Sequence, residues 1–508
     1  NIIIGARIRY IEPNGKKWKT AEMQTKDNDV YQGFIELENT GTYRFLIEAW
    51  FDDISTWLEN YIKWEKSGED ISQDLKTGLN FLFNAVKKAG SRDKKRINGV
   101  IKAANEDNLE FINAFRKNIS TLERYIEKRK LTKSKTFIIN SYSRNMFFRA
   151  WYEMFPRSQS LIQGKHGTFK DCVNRLKDIS DMGFNVIYLP PIHPIGKTNR
   201  RGKNGIIPIS QGDPGSPWAI GNSDGGHKAI NPDLGSLSDF KEFISIAGKY
   251  DIDIAIDLAF QCSPDHPYVI EHSEWFYHRP DGTIRYAENP PKKYFDIYPL
   301  NFDCDDKDSL WKELKSVVNY WISVGIKIFR VDNPHTKPFT FWKWLLSEIF
   351  SEHPEVVFLG EAFTKPSVMY KLSKIGFQQS YTYFTWKNYD WEIREYFTEL
   401  NSPSISAFFR PMLFVNTPDI LPFILQTGGK PAFALRTLLG ATLSPLWGIY
   451  SGFELCENEG IPDREEYMDS EKFQLKQRDW NARGNIKPLI SRLNSIRNEF
   501  YQFQIHGN

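Results

Sequence analysis

Eight short apolar runs, most of them followed by a helix-like stretch, set the tightest limit on how this chain folds. They are AWYEMF, NVIYLPPI, DIDIAIDLAF, IKIFRVDN, VVFLGEAF, QQSYTYFTW, RPMLFVNTPD and SPLWGIYSG, spread over residues 150–452. Continuous Val, Ile, Phe and Tyr without alternation suits strands buried on both faces, the pattern of a parallel sheet. Between them FKDCVNRLKDISDMG, LSDFKEFISIAGKY, SLWKELKSVVNYWISVG, FTFWKWLLSEIFSEH and PSVMYKLSKIG place apolar residues at three- and four-residue steps, and IKPLISRLNSIRNEFYQF would close the ring. Strand and helix alternating in this way predict an α/β fold, a (β/α)8 TIM barrel over residues 147–508. A doubly wound open sheet competes, but no Gly-rich phosphate fingerprint follows any of the runs. Insertions fall at about 193–235 and 259–302, after the second and third strands, where barrels build their sites.

The chain before the barrel has a different texture. RIRYIEP, VYQGFIEL, TYRFLIEAWFDD and SKTFIINSYSR read as strands between polar turns, which predicts an N-terminal β-sandwich from residues 1–54 and 131–146. Residues 55–130 switch to helical spacing, with Trp57, Leu58, Tyr61 and Ile62, then Leu109, Ile112 and Phe115. They read as a helical insert, with Ser55 and Asp107 as helix starts.

Charge and composition exclude several classes. Among 508 residues, 66 Lys+Arg against 63 Asp+Glu leave a net charge of +3, which argues against a nucleic-acid partner. The four cysteines lie far apart with neither metal-ligand spacing nor the density of a disulfide framework. No apolar run approaches the roughly 18 residues of a membrane span, and the opening NIIIGARIRYIEPNG lacks a signal-peptide pattern. The expectation is a cytoplasmic protein with no membrane partner. A 15% aromatic share suits sugar stacking but equally suits an ordinary core.

Polar residues at the ends of the runs carry the chemistry. IFRVDNPH places Arg330 and Asp332 at one strand end, FLGEAF places Glu361 at the next, and FVNTPD places Asp419 two strands on. IAIDLAFQCSPDH adds Asp257 and His266. A single rim carboxylate is ordinarily a loop residue or a structural ion pair; three of them beside an arginine match the needs of retaining glycosyl transfer. One carboxylate attacks the anomeric carbon, a second roughly 5 Å away serves as acid and then base, and a third steadies positive charge on the ring. A cation two residues before Asp332 would keep that carboxylate ionised.

The barrel resembles the α-amylase clan, whose four short regions map onto Asp257 to His266, Phe329 to His335, Glu361, and Asn416 to Asp419. The resemblance implies Asp332 as nucleophile, Glu361 as acid/base and Asp419 as transition-state stabiliser. Two positions depart from the amylase pattern: Pro418 stands where a His is common, and Asn333 where a small residue is usual. Longer strings, among them PPIHPIGKTNRRGKN, AENPPKKYFDIYPLNFD, FRVDNPHTKP and GFQQSYTYFTW, are similar to the α-1,4-glucan:maltose-1-phosphate maltosyltransferases. That family implies α-maltose 1-phosphate as donor, an α-1,4-glucan as acceptor and a homodimer built through the N-terminal and helical parts; the residues themselves imply no metal or organic cofactor. In the family a C-terminal β-sandwich follows the barrel, and this sequence ends before it.

A sugar phosphate needs cations and hydrogen-bond donors near the nucleophile. The second-strand insertion supplies Arg200, Arg201 and Lys203, the third Lys292 and Lys293, and Asn333 offers an amide beside Asp332. The resemblance places Lys203, Gln261, Tyr294 and Asn333 around the phosphate and first sugar, and Asn289 and Lys292 on the donor sugars. Arg330, Asp257 and His335 join the substrate-binding set through the same regions. A phosphate with a second pKa near 6 leaves with little proton donation, so Glu361 is expected to matter most when the acceptor hydroxyl is deprotonated. His193, His227, His266 and His335 show no ligand spacing on a common element, so loop or sugar hydrogen bonding is the better reading than metal.

Overall fold

A computed structural model describes residues 2–27, 29–206, 209–210 and 212–505. The chain divides into two compact units, Asn1–Ser141 and Tyr142–Asn508.

The first unit holds strands β1 (Ile4–Ile11), β2 (Lys19–Glu22), β3 (Gln24–Asp27), β4 (Val30–Gln32), β5 (Gly41–Phe51), β6 (Arg129–Lys133) and β7 (Phe137–Ser141). Antiparallel pairing in the order β2-β1-β5-β6 makes a sheet, β7 also pairs with β5, and β3 and β4 form a separate ribbon. The 11 residues of β5 accommodate both β7, along Gly41–Phe45, and β6, along Glu48–Phe51. Between β5 and β6 the chain makes helices Asp53–Ser67, Ser72–Lys88, Ser91–Ala103 and Asn108–Leu122. Their shared core packs Trp57 and Tyr61 against Phe111 and Phe115. Asp107 caps the last of them, accepting from the Leu109 and Glu110 N–H groups. The first begins earlier than Ser55: Asp52 is its cap, its carboxylate accepting from the Ser55 N–H at 2.9 Å, because a side-chain oxygen three residues ahead satisfies an otherwise orphaned donor.

The second unit is a closed parallel barrel with strand order β10-β15-β16-β17-β18-β19-β8-β9. Its strands are β8 (Arg149–Glu153), β9 (Val186–Leu189) and β10 (Asp253–Leu258), then, after the rim pieces β11 (Gln261–Cys262), β12 (Ala287–Asn289), β13 (Lys292–Tyr294) and β14 (Tyr298–Pro299), β15 (Ile328–Val331), β16 (Val357–Gly360), β17 (Gln379–Tyr381), β18 (Pro411–Phe414) and β19 (Leu446–Tyr450). Each of the eight apolar runs overlaps one barrel strand, and AWYEMF begins one residue inside β8. Thr168 and Ser236 open the first two outer helices through reciprocal capping with Asp171 and Asp239. Inside the barrel Trp151, Tyr188, Leu359, Tyr381 and Phe414 fill the cross-section, and Tyr381 stacks on Phe414 at 4.8 Å. Among the described residues no helix is long and apolar enough to cross a membrane.

Candidate active site

Strand periodicity assembles the floor. Side chains alternate between faces, so an inward row that starts with Ala255, Ile328, Val357 and Leu359 continues two residues on to Asp257, Arg330 and Glu361, and from Arg330 to Asp332. Arg330 ties these together. Its Nη1 donates to Asp257 Oδ2 at 2.8 Å and to Asp332 Oδ1 at 2.9 Å, and its Nη2 lies 2.5 Å from Glu361 Oε1. The rings of Tyr188 and Tyr381 flank the guanidinium, each centroid 5.6 Å from Cζ. Asp257 Oδ2 also accepts from the Tyr188 hydroxyl at 2.5 Å and Trp218 Nε1 at 3.2 Å. Asp257 and Arg330 therefore lie beneath the cavity surface, where they fix other groups, while Asp332 and Glu361 reach it.

The cluster separates two carboxyls electrostatically. Burial pushes the Asp332 carboxyl up, but Arg330 and then Lys337 outweigh it and hold Asp332 below the usual range. For Glu361, burial prevails over Arg330 with help from the charges on Asp332 and Asp419, and its carboxyl is pushed up to about 8. Two carboxyls with opposite shifts at one cavity form an anion and an acid at neutral pH. Glu153, which closes β8, is fully buried and held well above the ordinary range, first by burial, so it adds little negative charge to the site. Asn333 follows Asp332 in left-handed backbone (φ 41°, ψ 57°), a conformation asparagine tolerates better than most residues. Its N–H points at Glu361 Oε2 (3.4 Å) and its Nδ2 at Asp332 Oδ2 (3.5 Å).

The rim is built differently. Asp419 sits in a turn after β18 with its side chain 50% exposed, and Lys472 Nζ meets its Oδ1 at 2.5 Å. Burial opposes the charge on Lys472, but Asp419 keeps its ammonium above the ordinary value. A cavity of about 1310 Å³ opens over the floor; Gln261, Asn289, Lys292, Tyr294, Asn333 and His335 line it together with Asp332, Glu361 and Asp419. Lys203 stands outside that lining, its Nζ 3.4 Å from Asp469, while its neighbour Asn204 is on the lining and also bonds Asp469. Lys292 Nζ lies 3.5 Å from Glu466 Oε1, and Arg201 pairs with Asp296 at 3.1 Å.

Residues 451–486 carry Glu466, Asp469, Lys472 and Phe473 to this rim. Reading the runs alone misses that segment, because it has no periodicity; distance along the chain from a strand end is its only signal. Lys337, five residues past Asp332 in FRVDNPHTKP, lines the cavity and was within reach of the strand-end argument.

The histidines meet without ligand spacing in sequence. His227 Nδ1 lies 3.0 Å from His266 Nε2, and Cys262 is close enough to make a three-residue group of metal-binding type. The hydrogen bonds already assign every ring nitrogen in that pair. His266 Nδ1 accepts from the Tyr268 N–H, which makes its Nε2–H the donor to His227 Nδ1, and His227 Nε2–H then donates to the Ala259 carbonyl. Burial lowers His266 to about 2, His227 to about 4 and His193 to about 3, so all three are neutral supports of the loop.

Comparison with known proteins extends the geometry. A family profile described as "Alpha-1,4-glucan:maltose-1-phosphate maltosyltransferase, domain N/S" matches residues 3–140. A protein of Picrophilus torridus bearing the name alpha-1,4-glucan:maltose-1-phosphate maltosyltransferase is 50% identical over 487 residues, 95% of this chain and 76% of that protein. One of the same name from Methylacidiphilum infernorum is 47% identical over 507 residues, 97% of this chain and 75% of that protein. The crystal structure of an alpha-amylase from Lactobacillus plantarum shares the fold, with a TM-score of 0.54 at 22% identity over 70% of this chain and 81% of its own.

Proposed function

The chain belongs to the α-1,4-glucan:maltose-1-phosphate maltosyltransferase family, and from that premise we propose that it transfers maltosyl from α-maltose 1-phosphate to the non-reducing end of an α-1,4-glucan, with retention and release of phosphate. Asp332 attacks the anomeric carbon, and the electron pair of the breaking C1–O bond leaves with phosphate. The proton for that oxygen comes from Glu361; where the donor binds as the monoanion and supplies its own, Glu361 gives its proton to solvent before the second displacement. The acceptor 4-hydroxyl then attacks C1 of the maltosyl-enzyme, its proton passes to Glu361, and Asp332 is released. Asp419, with Lys472, orients ring hydroxyls as positive charge develops. Asn333, Lys292 and Gln261 supply donors along the donor path.

The single observation that carries this reading is the split between Asp332 and Glu361 across one guanidinium at neighbouring strand ends. Retention needs an ionised nucleophile close to a protonated partner, and inverting enzymes place the two carboxyls farther apart. In the same reading the protein acts in cytoplasmic glycogen or α-glucan synthesis as a homodimer. Exposed Trp64, Phe83 and Leu109 on the helices of the first unit support self-association.

The test is phosphate release from α-maltose 1-phosphate with and without a maltooligosaccharide, with products read by mass. Acceptor-dependent phosphate and glucans longer by two glucose units are the expected result. Acceptor rearrangement or digestion without phosphate would instead favour an α-glucan transglycosylase or hydrolase.

A further inference from the structure

Lys337 ends the short turn that leads from β15 into the helix Phe339–Glu352. Its side chain is buried, with 9% of the residue exposed, and its Nζ donates to the carbonyl oxygens of Asp332 at 3.1 Å and Asn333 at 3.2 Å. Those two carbonyls bracket the left-handed backbone of Asn333. The Asn333 carbonyl accepts as well from the Thr336 N–H at 3.1 Å and the Thr336 hydroxyl at 2.8 Å. A non-glycine residue holds such a conformation only where its surroundings over-determine it, and here one ammonium and one threonine do so.

The turn aims every group that Asp332 and Asn333 present to the cavity. The charges facing Lys337 come from several elements. Asp257 stands on β10, Arg330 and Asp332 on and just past β15, and Glu361 just past β16. His335 lies in the same turn, and Lys472 faces Asp332 from residues 451–486. Lys472, already paired with Asp419, faces Asp332 and Glu361 from the rim; within the floor the cations are Arg330 and Lys337.

We propose that Lys337 is a positioning residue for the first displacement: by gripping the carbonyls of Asp332 and Asn333 it fixes the turn that aims the nucleophile. The assignment rests on the maltosyl-transfer reading above.

Its test compares wild type, Lys337→Met and Lys337→Arg for kcat and donor KM in phosphate release across pH 3–10, with thermal unfolding as a check on folding. In K337M, kcat falls about 10²-fold, the loss expected when a reacting group is misplaced by an ångström or so, while donor KM stays within a few-fold. Both limbs of the kcat profile move to higher pH by about one unit, since losing a cation that faces Asp332 and Glu361 makes both harder to ionise. K337R keeps the limbs where they are in wild type and loses only part of the rate. A K337M protein whose kcat and limbs match wild type, with only KM or melting temperature changed, overturns the proposal. Should K337M not fold, a K337R protein whose limbs shift although the charge is retained would overturn it equally.

If wild type releases no phosphate, the functional reading fails separately. The same proteins are then compared by the rate at which a 2-fluoro-maltosyl fluoride labels Asp332, read by intact mass. Equal labelling of wild type and K337M, or no labelling of Asp332 in wild type, sinks the positioning role.

Discussion

Asp332 and Asp419 open on the same cavity, yet one belongs to the sheet and the other to a loop. Asp332 has its side chain 9% exposed and shares Arg330 with Asp257 and Glu361. Asp419 has its side chain 50% exposed and meets Lys472 alone among ion-pair partners of the described residues. A buried carboxylate is stable only in fixed company, because removing one partner leaves an uncompensated charge. An exposed pair is screened by water and contributes little by itself. Under the proposed function, the comparison teaches that the groups for bond exchange are preorganised in the floor, whereas those for sugar orientation sit on the more exposed rim.

Replacing the proposed nucleophile puts the largest strain on this contrast. Asp332→Asn keeps the shape, leaves Arg330 bonded to Asp257 and Glu361, and removes only the attacking charge. Phosphate release is expected to fall about 10⁴- to 10⁶-fold, the range for losing a catalytic nucleophile, with a melting temperature near wild type. More than a tenth of wild-type turnover in D332N would remove Asp332 from the role.

The acid/base comes next. In the proposed mechanism Glu361, pushed up to about 8, starts the cycle protonated, so wild-type kcat should fall as pH rises through that value. At the other end it should fall only below the ordinary carboxylate range, as Asp332 takes up a proton. Glu361→Gln is expected to erase the basic limb and slow transfer about 10²- to 10⁴-fold. A donor that carries its own proton still acylates Asp332, so intact mass should show a maltosyl adduct that acceptor clears slowly. A basic limb that persists unchanged in E361Q would assign it to another group.

Legibility in the sequence follows the same division between floor and rim. Strands buried on both faces announce themselves as apolar runs, and a polar residue that ends such a run has little choice but to lie at or just beneath the mouth. Asp257, Arg330, Asp332 and Glu361 were read in that way. Glu153 escaped because its run continues apolar through Met154 and Phe155. Lys472 escaped for a different reason: its contact with Asp419 spans 53 residues of chain without periodicity. His227 and His266, 39 residues apart, meet through loop folding that spacing does not encode. Lys203 reads as a donor contact from its basic loop, and the fold turns its ammonium toward Asp469 outside the cavity lining.

Effects at the rim should be smaller, and coupled. Asp419→Ala and Lys472→Met are each expected to lower kcat/KM about 10- to 10²-fold, and the double variant by much less than the product, since residues in contact are not additive. Additive losses would show that the 2.5 Å pair in the free protein has no bearing on the bound state, and the rim would then be organised by substrate alone.

The smallest effect sharpens the comparison most. Lys203 and Asp469 are 58% and 44% exposed in their side chains, a pair of the kind worth about 0–1 kcal/mol, so folding stability should be indifferent to Asp469→Asn. Donor binding should not be. If Lys203 turns to the phosphate when donor arrives, it must first leave Asp469, and D469N removes that competitor. Donor KM is then expected to fall, by no more than about 5-fold given the worth of such a pair, and the gain should shrink as salt screens the wild-type pair. Lys203→Met should raise KM, and D469N should have no effect in its background. An unchanged KM in D469N at low salt would leave Lys203 as a partner of the loop alone, with the phosphate held by cations already on the cavity wall.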